Sequence, residues 1–151
     1  MQSAFIQHKK FKIVFAAAYL IWWAIWSGMH IIVLIDFGFA SSIAVTDSLV
    51  SNTLLAGTCF LILNNMRYYL PKKEKYWYVL AISTSLSAVW LLAIRIVLWA
   101  FYKNNEAYMH SLTQSSNIRY GIAFLMTGFV TMLSLLWFTQ QDQKEIDDRK
   151  K

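Results

Sequence analysis

Four stretches of this chain contain no Asp, Glu, Lys or Arg: 13–35, 48–66, 76–94 and 120–141, of 23, 19, 19 and 22 residues. As a helix rising about 1.5 Å per residue, each is long enough to cross roughly 30 Å of hydrocarbon. A helix satisfies its own backbone hydrogen bonds in lipid, where an open strand could not. Composition agrees. Charged residues make up 15% of the chain, against about a quarter in a soluble domain. One proline and five glycines are too few for a loop-rich all-β fold. The expected class is therefore all-α, a polytopic antiparallel bundle of four transmembrane helices. Its spans are placed at about 12–35, 47–67, 76–101 and 119–139. The first apolar run is about twice the length of a signal-peptide core, and no small-residue cleavage site follows it. It is expected to stay as a signal anchor.

The formal net charge is +6, but its placement argues against nucleic acid. Lys9, Lys10 and Lys12 precede span one, Arg67, Lys72, Lys73 and Lys75 lie between spans two and three, and Lys144, Arg149, Lys150 and Lys151 follow span four. These are eleven of the fourteen basic residues, in three segments that must share one side of a membrane. The other side has only Lys103 and Arg119, while Arg95 falls within the third apolar region. The positive-inside rule puts both termini and the central loop in the cytoplasm. The basicity is read as reporting this orientation and an anionic inner leaflet. Cys59 is the single cysteine, so no intrachain disulfide and no Cys-x-x-Cys chemistry is available.

The segment 45–71, VTDSLVSNTLLAGTCFLILNNMRYYLP, has polar ends on an apolar body. Thr46, Asp47 and Ser48 suit a helix N-terminus, with Asp47 as cap and as an acid at the positive end of the dipole. At the other end Arg67 can snorkel, Tyr68 and Tyr69 suit the headgroup layer, and Pro71 stops the helix. Trp77, between Tyr76 and Tyr78, repeats this interfacial anchoring where span three begins. Ser51 and Asn52 carry the polar strip about one and a half turns deeper. They are read either as interhelical hydrogen-bonding groups or as ligand contacts. Asn64 and Asn65 can hydrogen-bond in the same way near the inner surface.

The outer half collects further ionisable groups: His30, Asp36, Arg95, Glu106 and His110. Arg95 is expected to snorkel outward, to pair with Asp36 or Asp47, or to join Asp47, Ser48, Ser51 and Asn52 in a sensing strip. His30 and His110 titrate near pH 6.5 when unperturbed, which makes them, with Asp36 and Glu106, candidates for pH or ligand sensing. No His-x-x-x-His spacing supports a metal, and His110 is at the wrong depth to share a haem with His30. No metal or cofactor is expected. Trp22, Trp23 and Trp26 sit near mid-bilayer and are read as packing, or as an aromatic wall for an apolar ligand. No nucleophile–base pair or phosphate loop is found, so an active site is not expected in this chain.

Two internal similarities suggest tandem helical hairpins. Trp26, Val33-Leu34 and Phe37 recur 64 positions later as Trp90, Val97-Leu98 and Phe101, and Asp47-Ser48-Leu49 aligns 63 positions on with His110-Ser111-Leu112. Ser83, Thr84, Ser87 and Ala88 in span three, and Gly121 and Gly128 in span four, offer small-residue faces for close packing. After Trp137 the chain becomes QQDQKEIDDRKK with no glycine or proline to end the helix. Residues 140–151 are expected to form a charged cytoplasmic linker helix, a lever leading to a module beyond Lys151.

Thr46-Asp47-Ser48-Leu49-Val50-Ser51-Asn52, followed by an apolar run and Arg67-Tyr68-Tyr69-Leu70-Pro71, resembles a segment of LytS-like sensor histidine kinases, especially those of Bacteroidetes. The tryptophan-rich first span and Arg119-Tyr120-Gly121 are in keeping with it. The kinase module's Asn-Pro-His-Phe-type box and ATP-binding fold are not in this sequence. The resemblance implies the N-terminal four-span input domain of such a kinase, working as a homodimer with a cytoplasmic kinase module and a response regulator. The competing readings are a small four-span transporter and an accessory subunit of a membrane complex. Span one lacks the deep acid on which four-span multidrug exporters rely.

Overall fold

The computed structural model describes the backbone of residues 2–66 and 75–150 and the side chains of 13–14, 16–66 and 76–150. Among the described residues there are five helices and no strand: α1 (Gln2–Asp36), α2 (Ser41–Met66), α3 (Lys75–Tyr102), α4 (Glu106–Gln114) and α5 (Ser116–Lys150). Four of them hold segments long and apolar enough to cross a membrane: Ala16–Asp36, Ser41–Met66, Tyr76–Tyr102 and Ser116–Lys150. The all-α, polytopic class expected from the charge-free runs is the observed one. Burial follows the pattern of a lipid-solvated protein. Large apolar side chains such as Ile96, Leu125 and Phe129 are more than 60% exposed, while Ser48, Ser87, Thr127 and Thr131 are fully buried. In water that arrangement would be unfavourable; in lipid, small and polar residues belong between helices.

Packing divides the chain into two units, Met1–Thr53 and Leu54–Lys151, with the division inside α2. The first unit is a hairpin of α1 and the start of α2. Its turn is a complete Schellman motif: Gly38 N–H bonds to Ile35 C=O at 2.8 Å and Phe39 N–H to Leu34 C=O at 3.2 Å. Gly38 has φ +86°, a left-handed conformation that only glycine adopts without strain. The chain then turns directly into α2, whose first bonds run from Ile43 and Ala44 N–H to Ala40 C=O. This start places Asp47 in the second turn of α2, so it is not the cap expected from the sequence.

In the second unit α3 packs along α5. Ser87 Oγ lies 3.1 Å from Thr127 Oγ1. A Cβ on Gly128 would come 3.3 Å from Ser83 Oγ. Descending α3 while ascending α5 brings these pairs together, so the helices are antiparallel. Of the expected small-residue faces, Ser83, Ser87 and Gly128 are at this contact; Thr84 and Ala88 are exposed, and nothing lies near Gly121. The stretch 102–119, expected as a loop, contains α4. Asn105 caps it, its Oδ1 accepting from Tyr108 N–H at 3.1 Å, and Glu106 opens its first turn. Tyr108 and Leu112 bury the inner side of α4, with Tyr108 edge-on to Tyr102 at 5.1 Å. α5 runs unbroken for 35 residues, joining the expected span four and the charged linker in one helix.

The paired positions agree in burial only in part: Trp26 is half-buried and Trp90 buried, Val33 exposed and Val97 half-buried. Leu34 and Leu98 are both buried, and Phe37 and Phe101 both exposed. Asp47-Ser48-Leu49, however, lies within the long α2, whereas His110-Ser111-Leu112 belongs to the separate, nine-residue α4.

Candidate functional site

The first unit contains a polar seam between its two helices. Ala44, Asp47, Ser48, Ser51 and Asn52 are each 5% exposed or less and recur at helical spacing along one side of α2. Ser48 Oγ–H donates to the backbone carbonyl of Ser27 on α1 at 2.8 Å. The same oxygen accepts from Asn52 Nδ2 at 3.1 Å. Asn52 Nδ2 also lies 3.4 Å from Nδ1 of His30. At 3.4 Å this contact is long, and which atom donates depends on the imidazole tautomer. Ser51 Oγ–H donates to Asp47 Oδ1 at 2.9 Å, supporting a carboxylate that is fully buried.

The seam is incompletely satisfied. Trp23 Nε1 and Ser27 Oγ are buried and have no hydrogen-bond partner among the described residues. They are four residues apart on α1, hence on one face, and Ser27 is 4% exposed. A buried polar group without a partner costs about 1–3 kcal/mol. The hydroxyl of Ser27 does not take the usual escape of bonding back to the carbonyl four residues earlier, although Thr46, Thr58, Thr113 and Thr139 all do so.

The expected site residues therefore separate. Asp47, Ser48, Ser51 and Asn52 come together as a strip, and His30, half-buried, joins them through Asn52. Arg95 lies in the second unit with an exposed side chain, about 100° around α3 from the buried Ile94. Asp36, Glu106 and His110 are exposed at helix ends or on α4. Trp77, 71% exposed beside the 81% exposed Tyr76, has the position of an interfacial anchor at the start of α3. Arg67, Tyr68, Tyr69 and Pro71 lie outside the described residues. Trp22, Trp23 and Trp26 are half-buried on α1, with Trp22 against Tyr19 at 5.6 Å. Among the described residues no group of three or more His, Cys, Asp or Glu side chains could hold a metal ion.

Ser27 was not singled out by the sequence pattern, although with His30 it is one of only two polar side chains in 13–35 other than Tyr and Trp. Arg119 was also passed over. It is 9% exposed at the start of α5, where its Nε–H donates to Ser115 Oγ at 3.1 Å. The second unit has hydroxyls of a different kind. Thr127, Thr131 and Ser134 bond back to carbonyls of their own helix at 2.6–2.8 Å. They are satisfied locally and fasten α3 to α5 through Ser87 and Thr127. The seam of the first unit is the part left short of partners.

No protein family, curated protein or solved structure matches the chain.

Proposed function

We propose that this chain is the membrane-embedded signal-input part of a sensor histidine kinase, in which the α1–α2 seam responds to a stimulus and α5 passes the response on. The observation that carries this reading is the incomplete satisfaction of a buried interhelical seam. Two donors without a partner among the described residues, each costing about 1–3 kcal/mol, bring a second packing of α1 on α2 within the few kcal/mol that a switching element requires. A rotation or sliding of α1 that carried its backbone away from α2 would exchange the Ser27–Ser48 bond for new partners of Trp23 and Ser27, which sets the two arrangements apart.

α5 suits the output. Its 35 residues extend about 52 Å as a helix, against roughly 30 Å of hydrocarbon. Residues 140–150 are all exposed, with no break between them and the span. A displacement within the bilayer would reach the far end of such a rod undiminished. The kinase module, its response regulator and homodimeric action follow from the resemblance of segment 46–71 to LytS-like kinases. The eleven basic residues in segments that share one side support a cytoplasmic placement of both termini, and the bacterial cytoplasmic membrane is what the resemblance implies.

The test is autophosphorylation in native membranes carrying Asp47→Ala or Asn52→Ala, with Thr53→Ala, exposed on the other side of α2, as control. A shift of about 1 kcal/mol in a two-state balance changes the active population by up to about fivefold. Both seam variants should alter labelling by that order while Thr53→Ala does not. Unchanged labelling in both seam variants at equal expression rules out the seam as the input element.

A further inference from the structure

The unpartnered pair on α1 also says what chemistry would complete it. Trp23 Nε1 and Ser27 Oγ are buried and have no hydrogen-bond partner among the described residues. An indole nitrogen only donates, and a hydroxyl can donate, so one acceptor oxygen would satisfy both. Side chains four residues apart on a helix have Cβ atoms about 5–6 Å from each other, a span that a single oxygen with two lone pairs can bridge.

Depth limits where such an oxygen can come from. Trp23 is eleven residues past Lys12 and thirteen before Asp36, roughly 16 and 20 Å along the helix axis. Phospholipid ester groups and bulk water are therefore both about half a bilayer away. What reaches that depth is dissolved in the hydrocarbon. The surroundings suit such a molecule. Tyr19, Trp22 and Trp26 share the less exposed side of α1 with Trp23 and Ser27, and aromatic faces hold apolar bodies, aromatic ones above all. In the described packing both donors are sealed in. A ligand therefore meets them in the second packing of α1 on α2, and its affinity carries the cost of reaching that state.

We infer that the seam takes a lipid-soluble carbonyl compound, its oxygen accepting from Trp23 Nε1–H and Ser27 Oγ–H and its apolar body lying against Trp22 and Trp26. The inference rests on the reading of the seam as the input element. Binding the second packing alone, such a compound shifts the balance toward it by that difference in affinity.

The test is titration of the full chain in lipid nanodiscs with benzophenone, a lipid-soluble ketone, and with diphenylmethane, which has the same rings and no oxygen. The seven tryptophans are followed by their indole N–H resonances, that of Trp23 being recognised by its loss in Trp23→Phe. Benzophenone should move it downfield to saturation, as a new hydrogen bond does, and diphenylmethane should not. Ser27→Ala should raise the half-saturating concentration roughly threefold or more, the factor that an average interhelical hydrogen bond in a membrane supplies. No saturable shift, the same shift with diphenylmethane, or equal shifts at all seven indoles overturns the proposal. So does a cross-peak from water to the Trp23 indole proton in the ligand-free protein, which would give that donor a partner already. If Trp23→Phe does not fold, ultraviolet crosslinking decides, since benzophenone attaches to the C–H groups it touches. Adducts should concentrate on 19–30, and adducts spread over all four spans overturn the proposal. None of these readings needs a kinase. A Trp23 shift with labelling unaffected by the seam variants keeps the site and removes the input reading, and altered labelling with no shift does the reverse.

Discussion

Removing the hydroxyl of Ser27 should make the protein more stable. In most buried polar sites a Ser→Ala change costs a hydrogen bond. Here the Oγ is buried without a partner among the described residues, and the bond from Ser48 uses the backbone carbonyl of Ser27, which alanine keeps. The substitution therefore relieves an unsatisfied group costing about 1–3 kcal/mol and leaves a void smaller than a methyl group. Alanine's better helix propensity adds roughly 0.5 kcal/mol. Ser48→Ala, one step across the seam, should act in the opposite direction. It removes the 2.8 Å bond to Ser27 C=O and the 3.1 Å bond from Asn52. With about 0.6 kcal/mol for an average interhelical hydrogen bond in a membrane and about 1.7 at most, the loss is roughly 1–2 kcal/mol. Reversible SDS titration in mixed micelles, followed by tryptophan fluorescence, measures both. Opposite signs are expected. A Ser27→Ala variant less stable than wild type by about 1 kcal/mol or more would show that the hydroxyl has a partner, and the incomplete seam would no longer hold.

Three further outcomes follow from the local geometry. Gly38→Ala forces a Cβ into a left-handed turn at φ +86° and should cost about 1 kcal/mol in the same titration. Asn105→Ala removes the cap of α4; about 1 kcal/mol of local stability should be lost, seen as faster amide exchange at Tyr108 with no change at Thr127. A double-mutant cycle of Ser87→Ala and Thr127→Val should give a coupling of about 0.6 kcal/mol, that of an average interhelical hydrogen bond in a membrane, from the 3.1 Å contact between them. Zero coupling would mean that Thr127 is satisfied entirely by the carbonyl of Ala123.

The spans were legible because lipid imposes so strict a rule: a charge-free run of about 20 residues has few other uses. The strip 47, 48, 51, 52 was legible for a similar reason, since polar residues at helical spacing in an apolar helix announce a packed face. Its role was misjudged. Thr46-Asp47-Ser48 has the composition of a helix start, but Gly38 had already turned the chain, and the helix begins at Ser41. Ser27 gave no periodic signal, being a single hydroxyl whose importance depends on which way α1 faces. Arg95 shows the same limit: its position along the chain does not say which face of α3 it takes, and one residue past the buried Ile94, about 100° around the helix, its side chain is exposed. The short α4 was missed because its apolar content is too low for a span, although Asn105 followed by Glu106 is a fair N-terminal signal.

The central claim, that these helices feed a kinase, is tested most directly on the native polypeptide. Membranes are incubated with labelled ATP and captured with an antibody to residues 102–118, and the captured band is sized and tested for acid-labile phosphate. The account predicts a labelled band above 17.6 kDa by at least a catalytic domain of roughly 150 residues. An unlabelled band at 17.6 kDa would contradict it.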